Sequence, residues 1–414
     1  MPVNVEALSV APDFPASPSP GRTGLVLTGG GARSAYQVGV MRAVADLLPR
    51  DAPTPFHVIT GTSAGAIVAA NIATYATHFR AGAVTLERVW RNFHVDQVFR
   101  TDTPKMLLAG VRWMAALLSV GRLASPPDSL FDNAPLRRLL ERRINFSRLR
   151  DALATGHLDV LAISAAGYSS ARSFAFYESR AHPAGDALPW SRCVWTELGI
   201  DHLMASSAVP FLFPPVLMHD QYFGDGAMRQ VTPLSPAIRF GADRLFIVGV
   251  RHDHKQTPRT MDAAATPSFG KLFGFMLDTL FMDSLHASVA QLERLNRLVA
   301  QSSVPNPEGL RHIDSLVLVP RADLSSIAAR HARRMPRTVR ALLRIIGAAD
   351  SDGSELLSYL LFESGYTREL IALGYADTMA RRDEVAALLE PGVRTAAGDH
   401  LTRRCRQRPS SITD

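Results

Sequence analysis

The sequence predicts an α/β protein: a mostly parallel sheet covered by helices on both faces, with a helical appendage at its C-terminal end. Three observations carry that expectation. Strand-like and helix-like segments alternate from residue 24 onward, the order that builds a parallel sheet with helical crossovers. The strand-like runs are short and rich in Val, Ile and Leu, as strands buried on both faces require. At 414 residues the chain exceeds the roughly 250–300 that a single core usually serves, so one large domain with an addition is expected.

In order along the chain, residues 1–23 carry five prolines and no periodicity, which predicts a disordered arm. It lacks the basic start and apolar centre of a secretory signal. The main domain is expected over 24–320. Within it, strands are predicted at 25–28, 57–60, 159–165, 245–250 and 315–319, with an antiparallel edge at 174–177. Helices are predicted at 36–48 and 64–77. Residues 106–123 are apolar apart from Arg112, Arg122 and Trp113. They read as a buried helix in preference to a lid or membrane-dipping helix. Residues 269–300 show Phe, Leu and Met at helical spacing. Beyond 320 the character shifts: 321–344 is crowded with Arg, and 355–373 and 376–389 read as amphipathic helices, so 321–414 is expected to be a helical extension.

Composition narrows the function classes. Hydrophobic content of 47% and charged content of 20% fit a globular protein. No apolar run approaches the roughly 20 residues of a membrane span, and two cysteines make no disulfide framework. A cytoplasmic, membrane-peripheral placement is the expectation. The net charge of +7 comes almost wholly from Arg, since Lys105, Lys255 and Lys271 are the lysines. Genomic base composition is the plain reading, and attraction to anionic lipid headgroups the functional one. Nucleic acid is a poor fit, because basic and aromatic residues are not interleaved.

Gly61-Thr62-Ser63-Ala64-Gly65 stands where a strand should end and a helix begin, the setting of a nucleophile elbow. Such a turn exposes the Ser63 hydroxyl, and the glycines Gly61 and Gly65 clear the crossing backbone. Serine attacks only when a base takes its proton and the resulting oxyanion is stabilised. The loop Gly29-Gly30-Gly31-Ala32-Arg33 follows the first strand and can converge backbone N–H groups into an oxyanion hole. A dinucleotide reading of the same loop is weaker, because Ser34 stands where the third glycine belongs. No cofactor and no metal are called for. His252-Asp253-His254 has no third ligand at metal spacing. The base is open at this level between His252, His254, His286 or His312 and the tight Asp225-Gly226-Ala227. Burial would make the Asp225 carboxylate a serviceable base.

Four blocks together resemble the patatin-like phospholipase family. They are Leu27-Thr28-Gly29-Gly30-Gly31-Ala32-Arg33, Gly61-Thr62-Ser63-Ala64-Gly65, Ala205-Ser206-Ser207-Ala208-Val209-Pro210 with Phe213-Pro214-Pro215, and Asp225-Gly226-Ala227. The resemblance covers 24–250 well and the chain to about 320 more loosely. It implies a three-layer patatin-like fold and a Ser63–Asp225 dyad without a histidine. It also implies an oxyanion hole at Gly29, Gly30, Gly31, Ala32 and Arg33. The expected substrate is a phospholipid or other lipid ester, cleaved through an acyl-enzyme. The alternative from another class is a lipid-binding or scaffolding protein on the same fold with little turnover.

Overall fold

The structure, a computed structural model, describes residues 21–101, 129–180, 190–252, 269–280, 284–301, 310–345 and 354–389. Nearly all of the expected arm and the whole apolar stretch 106–123 lie outside the described residues. β1 (Thr23–Leu27) leads to α1 (Ala35–Leu47), β2 (Val58–Thr62), α2 (Ala64–Thr74) and α3 (Phe79–Trp90). Then come α4 (Ala134–Arg143), α5 (Phe146–Ala154), β3 (Val160–Gly167), β4 (Arg172–Ser179), β5 (Ser191–Trp195) and α6 (Ile200–Ser206). β6 (Val216–Met218), β7 (Gln221–Asp225), α7 (Ser235–Arg239) and β8 (Arg244–Val248) follow, with α8 (Phe269–Asp278) and α9 (Ser284–Gln301) before the last strand, β9 (Asp314–Leu318). The chain continues through α10 (Leu324–His331), α11 (Arg337–Ile345), α12 (Ser354–Leu360), α13 (Ser364–Ala380) and α14 (Arg382–Leu389).

The sheet runs β5-β4-β3-β2-β1-β8-β9. From β9 to β3 every neighbouring pair is parallel, which is the predicted mostly parallel core. β4 turns antiparallel to β3, as the sequence suggested, but it is not the edge, because β5 pairs parallel outside it. Both faces are covered. Leu25 and Phe246 are register partners, and Phe246 meets Phe56, which meets Phe79 of α3. One residue earlier the side chains point to the other face. There a Cβ on Gly24 would touch Ala237 of α7, and on that same face Tyr177 packs on Phe240. That two-residue alternation with both faces apolar is why β1 is buried along its whole length.

The expected helices over 355–373 and 376–389 differ from the prediction, since the second is divided between α13, which ends at Ala380, and α14, which begins at Arg382. The one over 355–373 divides into α12 and α13, because Phe362 turns in against Phe93 at 5.8 Å between ring centroids. Glu363 then accepts the Val95 amide at 3.4 Å and faces His94. Within 269–300 lie α8 and α9, and 281–283 between them fall outside the described residues.

α13 crosses α1 at unusually close range. A Cβ at Gly374 would lie 2.1 Å from the Tyr36 carbonyl oxygen, and one at Gly39 would lie 2.0 Å from that of Ile371. The two glycines let the backbones touch. Beside them the Tyr36 hydroxyl donates to Asp377 at 3.2 Å. Gly374→Ala should therefore force the helices apart and lower unfolding stability by about 1–3 kcal/mol, as overpacking does, measured by denaturant titration. A surface change such as Arg382→Ala should leave the midpoint in place.

Candidate active site

β2 enters the elbow and Ser63 leaves it as the residue before α2, with φ 56° and ψ −132°. A non-glycine residue in this region carries roughly 1–3 kcal/mol of strain, which the surroundings must impose. The flanking glycines show how. A Cβ at Gly65 would sit 2.4 Å from the Thr28 carbonyl oxygen, and one at Gly61 would sit 2.6 Å from the Ala66 Cα. The Ser63 amide donates to the buried Ser206 hydroxyl at 2.9 Å. Thr62 is fixed by Gln230, whose Oε1 accepts its hydroxyl at 2.6 Å while its Nε2 donates to Ser164 at 2.8 Å.

Asp225 reaches Ser63 through strand register. β2 occupies one edge of β3 as far as the pair Thr62–Ser164, while β4 fills the other edge along its length. β7 takes up the first edge at the next position, pairing Asp225 with Ala165. The last residue of β7 therefore abuts the end of β2. The Asp225 amide donates to Ala208 at 2.9 Å, so the 205–210 block holds both residues, Ser206 at one and Ala208 at the other. Gly226 makes the approach feasible, since a Cβ there would lie 2.4 Å from the Ser164 carbonyl oxygen.

Asp225 is 2% exposed. Its Oδ1 accepts the Ala227 amide at 2.9 Å. Its Oδ2 is enclosed without a hydrogen bond of good geometry, yet the Ser63 hydroxyl is near enough to favour the charged form. The contact is thus looser than a formed hydrogen bond, as pairs that tighten around a substrate are. Burial pushes the Asp225 carboxyl up to about 7, against the opposing pull of Ser63 and the Ala227 amide.

The glycine loop divides by role. Gly31, at φ 53°, lines the same cavity as Ser63, and a Cβ there would lie 2.4 Å from the Tyr359 carbonyl oxygen of α12. Gly30 packs on Val250, and Ala32 is in the core. Arg33 departs from the expected oxyanion role. Its amide donates to Gly30 at 3.0 Å, and its side chain is committed elsewhere. The buried guanidinium pairs with Asp278 at 2.9 Å and donates to Tyr359 at 3.0 Å, Ser358 at 2.7 Å and Ser325 at 2.9 Å. Asp278 is shared with Arg251 at 3.0 Å. Arg33 anchors the loop to α8, α10 and α12.

The cavity at Ser63 is walled mainly by apolar side chains of α2, α3 and α4, with Phe213, Tyr359 and Leu360. Among the described residues no histidine lines it. Among the histidine candidates, the His252 ring sits 2.9 Å from the Pro320 carbonyl, His312 pairs with Asp314, and His286 is exposed on α9. His254 lies outside the described residues. Among the described residues no cluster of His, Cys, Asp or Glu is placed to hold a metal ion. The roles of Ser206 and Gln230 were not legible beforehand. The block containing Ser206 was visible, but only the tertiary fold shows what its hydroxyl holds.

The Arg33 cluster predicts that Arg33→Met, which removes the hydrogen bonds to Ser325, Ser358 and Tyr359 and leaves Asp278 paired with Arg251, costs more stability than removal of a single partner's hydroxyl. Removing the Tyr359 hydroxyl in Tyr359→Phe should cost about 1–3 kcal/mol. Equilibrium unfolding of both variants checks the order.

The sequence model of patatin-like phospholipases matches residues 25–238. That span contains the elbow, the glycine loop, the 205–210 block and Asp225. No curated protein matches the chain. Among solved structures, VipD from Legionella pneumophila is similar at 13% identity, over 91% of this chain and 70% of that one, with a TM-score of 0.35. With the family match extending over more than half of its length, the chain belongs to the patatin-like phospholipase family, a family of lipid acyl hydrolases.

Proposed function

We propose that the protein is a phospholipase A-type lipid acyl hydrolase in which Ser63 is the nucleophile and Asp225 the general base. The observation that carries this reading is the meeting of a strained serine and a buried carboxyl at one strand edge, open to an apolar cavity. In the proposed cycle Asp225 takes the hydroxyl proton as Ser63 Oγ attacks the ester carbonyl. The oxyanion is received by amides of the Gly29–Ala32 loop and by the first amides and dipole of α2. The leaving alcohol departs with the proton and leaves an acyl-Ser63 ester. Water activated by Asp225 then releases the fatty acid, and the cycle needs no metal or cofactor.

A carboxyl displaced to about 7 is matched to this task, because a base works best when its pKa lies near the working pH. The sign follows directly. Asp225 must be ionised to act, so kcat/KM should be full above pH 7 and fall about tenfold per unit as the pH drops below it. The linked effect on stability is opposite. A folded-state pKa raised above the ordinary range of about 3.9 contributes stability at low pH that is lost as the pH rises towards 7.

Hydrolysis of a short-chain nitrophenyl ester should disappear in Ser63→Ala and drop about a hundredfold to ten-thousandfold in Asp225→Asn. Full activity in Asp225→Asn would return the base to the histidines. Binding to lipid vesicles without hydrolysis of any ester would instead support the non-catalytic alternative.

A peripheral membrane contact is part of the same proposal. α11 buries Val339 and Leu343 and exposes Arg337 and Arg344, with Arg333 and Arg334 exposed just before it. Each such cation near an anionic surface is worth about 1 kcal/mol. Arg333→Glu combined with Arg337→Glu should weaken co-sedimentation with phosphatidylserine vesicles. Hydrolysis of the water-soluble ester should be unchanged.

A further inference from the structure

The cavity at Ser63 contains a polar group that ester hydrolysis does not use. Asn71 lies on α2 on the same face as Ala64 and Ile67, and all three line the cavity. At the rise of a helix it stands about 10 Å beyond Ala64, deep along the path that an acyl chain leaving Ser63 would follow. The same cavity is lined by side chains such as Leu86, Val89, Leu140 and Ile144, with Arg143 beside them. Asn71 is 5% exposed, and its Oδ1 has no hydrogen-bond partner. A buried amide left in this state costs free energy comparable to a lost hydrogen bond, so such a group calls for an explanation. An aliphatic side chain at this position would complete the apolar wall.

We propose that Asn71 recognises a hydroxyl group carried part-way along the acyl chain, so that the preferred substrates are esters of hydroxylated fatty acids. The inference rests on the hydrolase reading and adds the acyl class to it. An amide presents one acceptor and one donor atom, whichever way it is turned, and a hydroxyl group can pair with either. A plain hydrocarbon chain pairs with neither and leaves the amide unsatisfied in the complex. Distance along α2 makes the selection positional. A hydroxyl next to the ester carbonyl, or at the far methyl end, falls short of Asn71 or passes it.

The test compares nitrophenyl esters of stearic acid with a positional series of hydroxystearic acids, presented in mixed micelles to the full chain. The expected result is a maximum in kcat/KM for a mid-chain hydroxyl, about three- to tenfold above the stearoyl ester, the ratio that one net hydrogen bond supplies. Asn71→Leu should abolish that maximum, so that the stearoyl ester and every hydroxylated ester give the same kcat/KM. Asn71→Ser, which shortens the polar side chain, should weaken the preference and serves if the leucine variant does not fold. A wild-type enzyme that cleaves the stearoyl ester as well as every hydroxylated one overturns the inference, and is also what a water resident on Asn71 would give. A preference that survives in folded Asn71→Leu overturns it too. Failure to cleave any ester is a different outcome, because it removes the hydrolase reading and this inference with it.

Discussion

Strand β3 offers one edge to two partners in succession. β2 uses it as far as Ser164 and β7 begins at Ala165. This sharing brings together residues that are far apart in sequence, and the rest of the site is arranged around it. The elbow must bend sharply at Ser63 because β2 ends against the incoming β7. Asp225 must be buried because it closes the seam between the two strands. Burial in turn raises its carboxyl to about 7, so one packing constraint supplies both the proximity and the basicity that the proposed mechanism needs. The 205–210 segment braces the seam, with Ser206 on the Ser63 amide and Ala208 on the Asp225 amide.

The C-terminal helices bear on the same centre from the other side. Tyr359 of α12 places its carbonyl where a side chain at Gly31 would be, and with Leu360 it walls the cavity. Arg33 carries the fixing charge two residues further along. A buried guanidinium is costly unless fully partnered, and here Asp278, Ser325, Ser358 and Tyr359 supply that partnership from three helices. The loop proposed to receive the oxyanion is therefore set jointly by the sheet and by helices near the end of the chain. The glycine contact of α13 with α1 binds those helices down.

Much of this was legible in the sequence because its signals are local. A Val, Ile and Leu run followed by a glycine cluster marks β1 and its loop, and Gly-Thr-Ser-Ala-Gly marks a strand-to-helix turn. The parallel core and the patatin-like architecture followed from those patterns. The short strands β5 and β6 were not foreseen, since five residues at Ser191–Trp195 and three at Val216–Met218 are too few to give a periodic signal. Arg33 was misjudged for a related reason. Its place in the glycine motif was visible, but its partners lie more than two hundred residues downstream. Nor could sequence distinguish Asn71 from an ordinary helix-surface asparagine, because its burial comes from tertiary packing around α2.

The central claim is that burial at the β2–β7 seam makes Asp225 the base for Ser63. The most direct measurement is the rate at which a fluorophosphonate labels the protein across pH, with the modified residue located by peptide mass spectrometry. The account predicts labelling at Ser63, with a rate that rises through a single ionisation near pH 7 and loses that ionisation in Asp225→Asn. Labelling at another residue, or a profile that is unchanged in Asp225→Asn, would contradict it.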